Sequence, residues 1–393
     1  MRYDFNEQIN RRGSNCVKWD EAEEGVIPMW VADMDFRVAP CITDAIMRRA
    51  EQGIFGYTYV PAGYYDSVVK WFDKRHNWKM NPEWIIYTSG VVPAISAIVK
   101  AMTRPDDKVL VQTPVYNCFF SSVRNNDCRL NTSPLKEVIG EDGLPTYEVN
   151  WEDFEDRAAD PSTKVFILCN PHNPAGRVWT EEELRRMGDI CLKHGVFVIS
   201  DEIHCELTMP GYKYTPYASL GEEYQHNAAI CTSPSKAFNI AGLQIANITI
   251  EDEVVRKKVD KAININEVCD VNPFGVETLI AAYNEGEDWL NQLCEHLAGT
   301  YRHVLNFFHD NLPQLPVTKL EGTYLLWVNC KQTGLTGKEF CDRLLEEKKL
   351  WFNSGEMYGA AGQEYFRINL ACPRPQIYEA LSRLKDFVEG LNK

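Results

Sequence analysis

Short apolar runs separated by amphipathic segments recur along the middle of the chain. Ile85-Ile86-Tyr87, Val109-Leu110-Val111, Val165-Phe166-Ile167-Leu168-Cys169, Val196-Phe197-Val198-Ile199 and Ala229-Ile230-Cys231 lack the alternation of a half-exposed strand. Runs apolar on both faces suit parallel strands covered by helices on either side, so they predict a doubly wound, mostly parallel α/β sheet. Between two of them, Thr180 and Glu183 have the spacing of a capping box. Leu184, Met187, Ile190 and Cys191 then share one helical face, and Gly195 ends the segment. Further helices are predicted near Cys41 to Ala50 and through Val68, Val69 and Trp71 up to His76. The aromatic turn Phe55-Gly56-Tyr57-Thr58-Tyr59-Val60-Pro61 separates them.

The pattern changes after about residue 285. A long helical stretch from Trp289 to Leu312 and a proline-bounded connection, Pro313 to Pro316, lead into a smaller mixed segment. Its strands are predicted at Thr323 to Val328 and Tyr365 to Leu370, and Leu381, Leu384, Phe387 and Val388 line its last helix. The first forty residues are irregular yet rich in large apolar groups, as in Ile27-Pro28-Met29-Trp30-Val31-Ala32-Asp33-Met34-Asp35-Phe36, so this arm is expected to lie over a cleft. The expected organisation is an arm over 1–45 packing on the small domain, a large domain over 46–285 and a small C-terminal domain over 286–393.

Composition narrows the functional classes. The chain has 393 residues, 45% hydrophobic and 25% charged, which is enough for a large core and more than one domain. A formal net charge of -15 repels phosphate backbones and anionic lipid, so neither nucleic acid nor a membrane surface is an expected partner. No secretory leader is recognisable and no apolar run approaches the ~20 residues that span a bilayer, so a cytoplasmic location is expected. Thirteen scattered cysteines without a C-x-x-C pair predict reduced thiols, with no disulfide framework and no metal site.

The candidate chemistry centres on Lys236. The run ending at Thr232 delivers Ser233-Pro234-Ser235-Lys236 into a turn among small and apolar neighbours. Such a lysine loses solvation in its charged form and becomes nucleophilic towards a carbonyl, while the two serine hydroxyls suit a phosphate. These are the needs of a pyridoxal phosphate anchor; a surface lysine in a loop is the alternative. Asp201 follows a predicted strand, where it is placed to pair with a pyridine nitrogen or to cap a helix. His204, three residues on, supports that ring or is structural. Asn173, in Asn170-Pro171-His172-Asn173-Pro174, offers an amide at another strand end. Gly90, in Thr88-Ser89-Gly90-Val91-Val92-Pro93, opens a helix start that cradles phosphate or is simply a cap. Tyr116 stacks on a planar cofactor or packs in the core. Arg367 and Asn369 fall on the polar face of the strand Tyr365 to Leu370, where a guanidinium fork fits a substrate carboxylate or lies on a surface.

The ordered set of Asn173-Pro174, Asp201, Ser233 with Lys236, and Phe366-Arg367-Ile368-Asn369 resembles the fold-type I pyridoxal-phosphate enzymes of the aminotransferase class I/II superfamily. More narrowly, the arm motif Ile27 to Phe36, Gly53-Ile54-Phe55-Gly56-Tyr57, Ser200-Asp201-Glu202-Ile203-His204 and Ser233-Pro234-Ser235-Lys236 resemble the MalY/PatB-type cystathionine β-lyases. The resemblance implies a PLP-dependent transferase-like fold and a homodimer with shared active sites. It implies that Lys236 holds pyridoxal 5'-phosphate covalently and acts in catalysis with Tyr57, which reaches in from a second subunit. Asp201 would pair the ring nitrogen, Asn173 hold the ring oxygen and Tyr116 stack on the ring face, with His204 a further cofactor neighbour beside the aspartate or the ring oxygen. Gly90, Val91, Val92, Ser233 and Ser235 would hold the phosphate, and Arg367, Ala32 and Asp33 the substrate. Two positions depart from the broader aminotransferase pattern: Gln244 stands where an arginine usually follows the lysine, and His204 where a tyrosine usually follows the aspartate. The implied reaction is β-elimination on cystathionine or another S-substituted cysteine. The alternatives are an aminotransferase on an L-amino acid and a regulatory binding protein on the same fold.

Overall fold

The structure, a computed structural model, describes residues 2–265, 267 and 270–391. Seven strands build its central sheet: β1 (Ile85–Thr88), β2 (Lys108–Thr113), β3 (Arg129–Pro134), β4 (Thr163–Cys169), β5 (Phe197–Asp201), β6 (Ala228–Thr232) and β7 (Ala246–Thr249). Their order across the sheet is β1-β7-β6-β5-β4-β2-β3. From β3 to β6 every pairing is parallel, whereas β7 runs antiparallel to both β1 and β6. The doubly wound, mostly parallel sheet is therefore present with one reversed strand. The reversal has a local cause. Between β6 and β7 the only regular element is the turn Ala241–Leu243, and a parallel return would need a full crossover. Lys236 sits on that short connection.

The apolar runs face two ways. Val109 and Val111 of β2 pack with Ile95 and Ile98 of the helix Val91–Met102 on one side of the sheet. Leu110 joins Phe166, Leu184 and Met187 on the other. Fully burying a side chain of this kind contributes about 1.5–3 kcal/mol, which makes this two-sided core the main support of the strand ends. The helix Glu181–His194 has the expected capping box at Thr180 and Glu183, and Gly195 closes it at φ 66°. β3 and β7 were not expected, because polar residues interrupt their apolar positions. Those polar groups find partners inside: Asn131 donates to Thr163 Oγ1 (2.9 Å), and Asn247 Oδ1 accepts from the Tyr64 hydroxyl (2.7 Å).

A second, antiparallel sheet joins β8 (Leu325–Asn329), β9 (Asn353–Ser354) and β10 (Tyr365–Asn369) in the order β8-β10-β9. Phe366 and Ile368 pack with Phe340, Leu384 and Phe387, as the alternation in the sequence requires. β8 begins two residues later than expected. Thr323 takes a left-handed φ of 71° and donates its N–H to Leu207 O (2.6 Å), so the chain turns before it extends.

The N-terminal arm lies against this second sheet. Ile27–Pro28 pairs in parallel with Leu350–Trp351, Asn369 N donates to Met29 O (2.9 Å), and Asp35 N donates to Ala371 O (2.9 Å). Behind the arm, Arg11 bonds Asp33 (2.7 Å) and Asp35 (2.6 Å), and the fully buried Lys18 bonds Asp35 at 2.8 Å. Charges so far from water persist only when paired, so this cluster anchors an otherwise irregular segment. Among the described residues, no helix is long and apolar enough to cross a membrane. The twelve described cysteines are free; Cys269 lies outside the described residues.

Candidate active site

The ends of β4 and β5, the start of the helix after β1 and the connection after β6 meet the arm and β10 around a cavity of about 330 Å³. In open α/β sheets the carboxyl ends of the strands are where a ligand is met, because each strand there releases its chain into a loop. Three charged side chains line this cavity: Asp201, Lys236 and Arg367.

Asp201 is the last residue of β5 and is buried. Burial pushes its carboxyl up to about 7; the Ile203 N–H, which it accepts at 3.1 Å, and the charge of Lys236 oppose that rise only in part. A carboxyl in this condition would be ionised readily by a further cation placed against it. Lys236 donates its amine to Ala32 O at 2.7 Å. Burial and the nearby charge of Arg367 bring the amine down to about 8, while Asp33 and Asp201 resist. A neutral, nucleophilic fraction therefore exists near neutral pH.

Arg367 is buried in β10, opposite Trp327 on one side and Asn353 on the other. It donates to Asn173 Oδ1 (3.2 Å) and to Trp30 O (2.9 Å), and its guanidinium lies 5.1 Å from the centre of the Tyr358 ring. Its Nε has no hydrogen-bond partner, and no carboxylate pairs with it among the described residues. A buried guanidinium with an open edge is a receptor for an anion. His204 is buried beside it, with Nδ1 unpartnered, and burial together with Lys236 and Arg367 drives its pKa well below the usual histidine range. It is therefore a neutral imidazole.

Gly90, Val91 and Val92 line the cavity at the start of the helix Val91–Met102, where first-turn N–H groups lack intrahelical partners. Ser89, Ser235, Gln244, Asn173 and Tyr116 also line it, as does Ala32. Burial raises the Tyr116 phenol above its ordinary value, so its ring is a neutral face. Three expected site residues stand off this wall within one chain. Ser233 turns inward, donating to Ile245 O (2.6 Å) and accepting from Ser235 N (3.0 Å), which fixes the turn that carries Lys236. Asp33 is engaged by Arg11. Tyr57 is 95% exposed.

The sequence did not single out Asn353 or Tyr358 in this role, and it named Trp30 only as part of the arm. Asn353 reaches Trp30 O (2.9 Å) from a two-residue strand, and only its register opposite Arg367 brings it in. Elsewhere, His76, Cys205 and Glu206 come within 4.8 Å of one another. There Glu206 already accepts from Trp71 (2.6 Å), Arg75 (2.7 Å) and His76 (2.7 Å), which knots the helix Ala62–His76 to the sheet.

The chain is similar to known proteins over nearly its whole length. The cystathionine beta-lyase PatB of Bacillus subtilis (strain 168) is 40% identical over 386 residues, covering 97% of this chain and 98% of that protein. Cystalysin from Treponema denticola, solved with a pyridoxal 5'-phosphate cofactor, superposes with a TM-score of 0.94 at 33% identity over 100% of both chains. The PLP-bound C-S lyase from Staphylococcus hominis gives a TM-score of 0.91 at 32% identity, covering 98% of this chain and 99% of that one. The family model "Aminotransferase class I and II" matches residues 24–384, and the chain belongs to that family.

Proposed function

We propose that the protein is a pyridoxal-phosphate-dependent carbon-sulfur β-lyase that converts cystathionine or another S-substituted cysteine to a thiol, pyruvate and ammonia. The observation that carries this reading is the charge inventory of the cavity. It offers one reactive amine, one acid and one open guanidinium, with no second lysine or arginine on the wall. An amino acid's own carboxylate is thus accommodated, and the distal half of cystathionine, a zwitterion of no net charge, needs no further partner; an amino donor with a net-anionic side chain finds no counter-charge.

The residues fit the cofactor. Asp201 needs a cation to ionise fully, His204 Nδ1 has no hydrogen-bond partner, the first-turn amides at Gly90, Val91 and Val92 need acceptors, and Lys236 is a nucleophilic amine. Lys236 would hold the aldehyde; Asp201, Asn173, His204 and Tyr116 would surround the ring. Gly90, Val91, Val92 and Ser235 would hold the phosphate, with Ser233 bracing their turn. Bound there, pyridoxal phosphate supplies an electron-accepting ring attached to the substrate's amine.

The chain's own residues do the rest. Arg367 grips the carboxylate and fixes the α-carbon against the wall at Ala32, while Asp33 stays behind it with Arg11. The Lys236 amine takes the α-proton and afterwards returns a proton. Sulfur leaves with the bonding electrons as a thiolate, whose conjugate acid has a pKa of about 8.5 and which therefore departs more easily than an alkoxide. What remains, an aminoacrylate, tautomerises to an imine that water hydrolyses to pyruvate and ammonia after release; the arm lines one side of the cavity through Trp30, Val31 and Ala32.

The enzyme operates as a cytoplasmic homodimer in this reading, with an arm over 1–45, a large domain over 46–285 and a small domain over 286–393. Ile54, Phe55, Tyr57 and Tyr59 stand exposed together, an apolar patch that supports a partner surface and a Tyr57 borrowed by the neighbouring subunit. Purified protein given L-cystathionine should release pyruvate and homocysteine with no keto-acid acceptor. An absolute requirement for the acceptor would make it an aminotransferase, and full biological activity in a Lys236→Ala variant would make it a regulatory protein.

A further inference from the structure

Four consecutive carbonyls of the arm, Trp30 to Asp33, all engage buried polar side chains. Trp30 O accepts from Arg367 (2.9 Å) and Asn353 (2.9 Å). Val31 O and Asp33 O both accept from the single amide nitrogen of Asn369, each at 2.6 Å. Between them Ala32 O accepts from the Lys236 amine (2.7 Å) and from the Tyr324 hydroxyl (3.0 Å). Asn369 and Tyr324 are themselves buried, and Asn369 is held by the Ala371 N–H through its Oδ1 (2.8 Å). Asn369 thus clamps the carbonyls on either side of the one that touches the reactive amine.

We infer that Asn369 and Tyr324 are positioning residues for Lys236, acting through the Ala32 carbonyl: Asn369 aims that oxygen at the amine and Tyr324 competes for it. The inference rests on Lys236 as the reactive residue proposed above. Whenever the amine is free, Ala32 O holds it at the cavity wall and sets how readily it gives up its proton. An ammonium is a stronger donor than an amine, so a well-aimed carbonyl favours the charged form. An oxygen that also serves Tyr324 is a weaker acceptor for Lys236. The other groups facing the amine are Asp201 from β5 with His204 beyond it, Asp33 from the arm, Cys118 from the helix Asn117–Arg124 and Arg367 from β10. Neither variant below replaces any of these, and although Asn369→Ala frees the Asp33 carbonyl, the Asp33 carboxylate stays held by Arg11.

The test reads the Lys236 amine directly. Full-length protein freed of cofactor is acylated briefly with acetic anhydride across a pH series, and the Lys236 peptide is quantified by mass. Asn369→Ala, which releases the flanking carbonyls, should lower the titration midpoint by about half a unit, a roughly threefold change in neutral amine at a given pH. Tyr324→Phe, which leaves Ala32 O to Lys236 alone, should raise it. Shifts of opposite sign distinguish positioning from a general loss of packing, which would move both variants alike. Unchanged midpoints, or shifts in the same direction, overturn the inference. Should Asn369→Ala not fold, an unchanged or lowered midpoint in Tyr324→Phe overturns it alone. Because labelling needs no cofactor, the result stands whatever the elimination assay gives.

Discussion

Arg367→Met separates a receptor from a structural arginine, because the two roles carry opposite costs. Arg367 is buried without a carboxylate partner, so its place in the fold sets a desolvation penalty of several kcal/mol against two hydrogen bonds to neutral acceptors and one ring contact. Removing it lifts that penalty. Trp30 O keeps the Asn353 amide at 2.9 Å, and only Asn173 Oδ1 loses its donor, at a cost of about 1–3 kcal/mol. The terms nearly cancel, so the thermal midpoint should stay within about 3 °C of the parent. Substrate binding has no such compensation. Two charge-assisted hydrogen bonds to a carboxylate, at about 1.5–3 kcal/mol each, correspond to a loss of at least about 100-fold in kcat/KM. Pyruvate release from L-cystathionine and scanning fluorimetry on the same sample measure both. A midpoint lowered by about 10 °C with kcat/KM within tenfold would refute the reasoning and return Arg367 to a packing role.

Other outcomes follow from the same geometry. The folded-state pKa of Asp201 is raised to about 7, so its contribution to the stability of cofactor-free protein is fully present below the unfolded value near 3.8 and declines as pH rises from there through 7. Heating scans of cofactor-free protein should therefore show a falling midpoint from pH 5 to 8, blunted in Asp201→Asn; the buried Glu202, also pushed up to about 7, accounts for part of the remainder, and an undiminished slope would count against the assignment. Mixing inactive Tyr57→Ala chains with inactive Lys236→Ala chains should restore about a quarter of parental activity, since half the random dimers carry one intact shared site; no recovery after verified exchange argues that Tyr57 serves no partner. Thr180→Ala removes one side of the capping box, with an expected loss of about 1 kcal/mol in chemical denaturation and unchanged cofactor retention. A loss of retention there would mean the helix start is coupled to the site.

Much of this arrangement was legible because apolar runs mark strands, and strand ends mark the site. β4 from Val165 on, β5 and β6 announce themselves by unbroken burial, and Asn173, Asp201 and Lys236 come just after those runs or at their end. β3 and β7 were hidden because Asn131 and Asn247 look like solvent residues until their partners Thr163 and Tyr64, remote in sequence, are known. The same holds at the cavity. Asn353 and Tyr358 act from a two-residue strand and a short turn, and Trp30 and Ala32 act through backbone oxygens, which carry no residue signature. Sequence patterning reports side-chain burial along one element; it says little about a main-chain atom meeting a side chain hundreds of residues away.

That last distance has a consequence for biosynthesis. The segment from Trp30 to Asp33 leaves the ribosome 336–338 residues ahead of its fixed neighbours, Arg367 and Asn369. At roughly 5–20 residues per second the nascent arm waits for tens of seconds, with its tryptophan and methionines unsheltered. A chaperone-binding site on ribosome-bound chains is expected there, and a stop codon placed before β10 should yield a product that keeps its large sheet but never acquires a catalytic pocket.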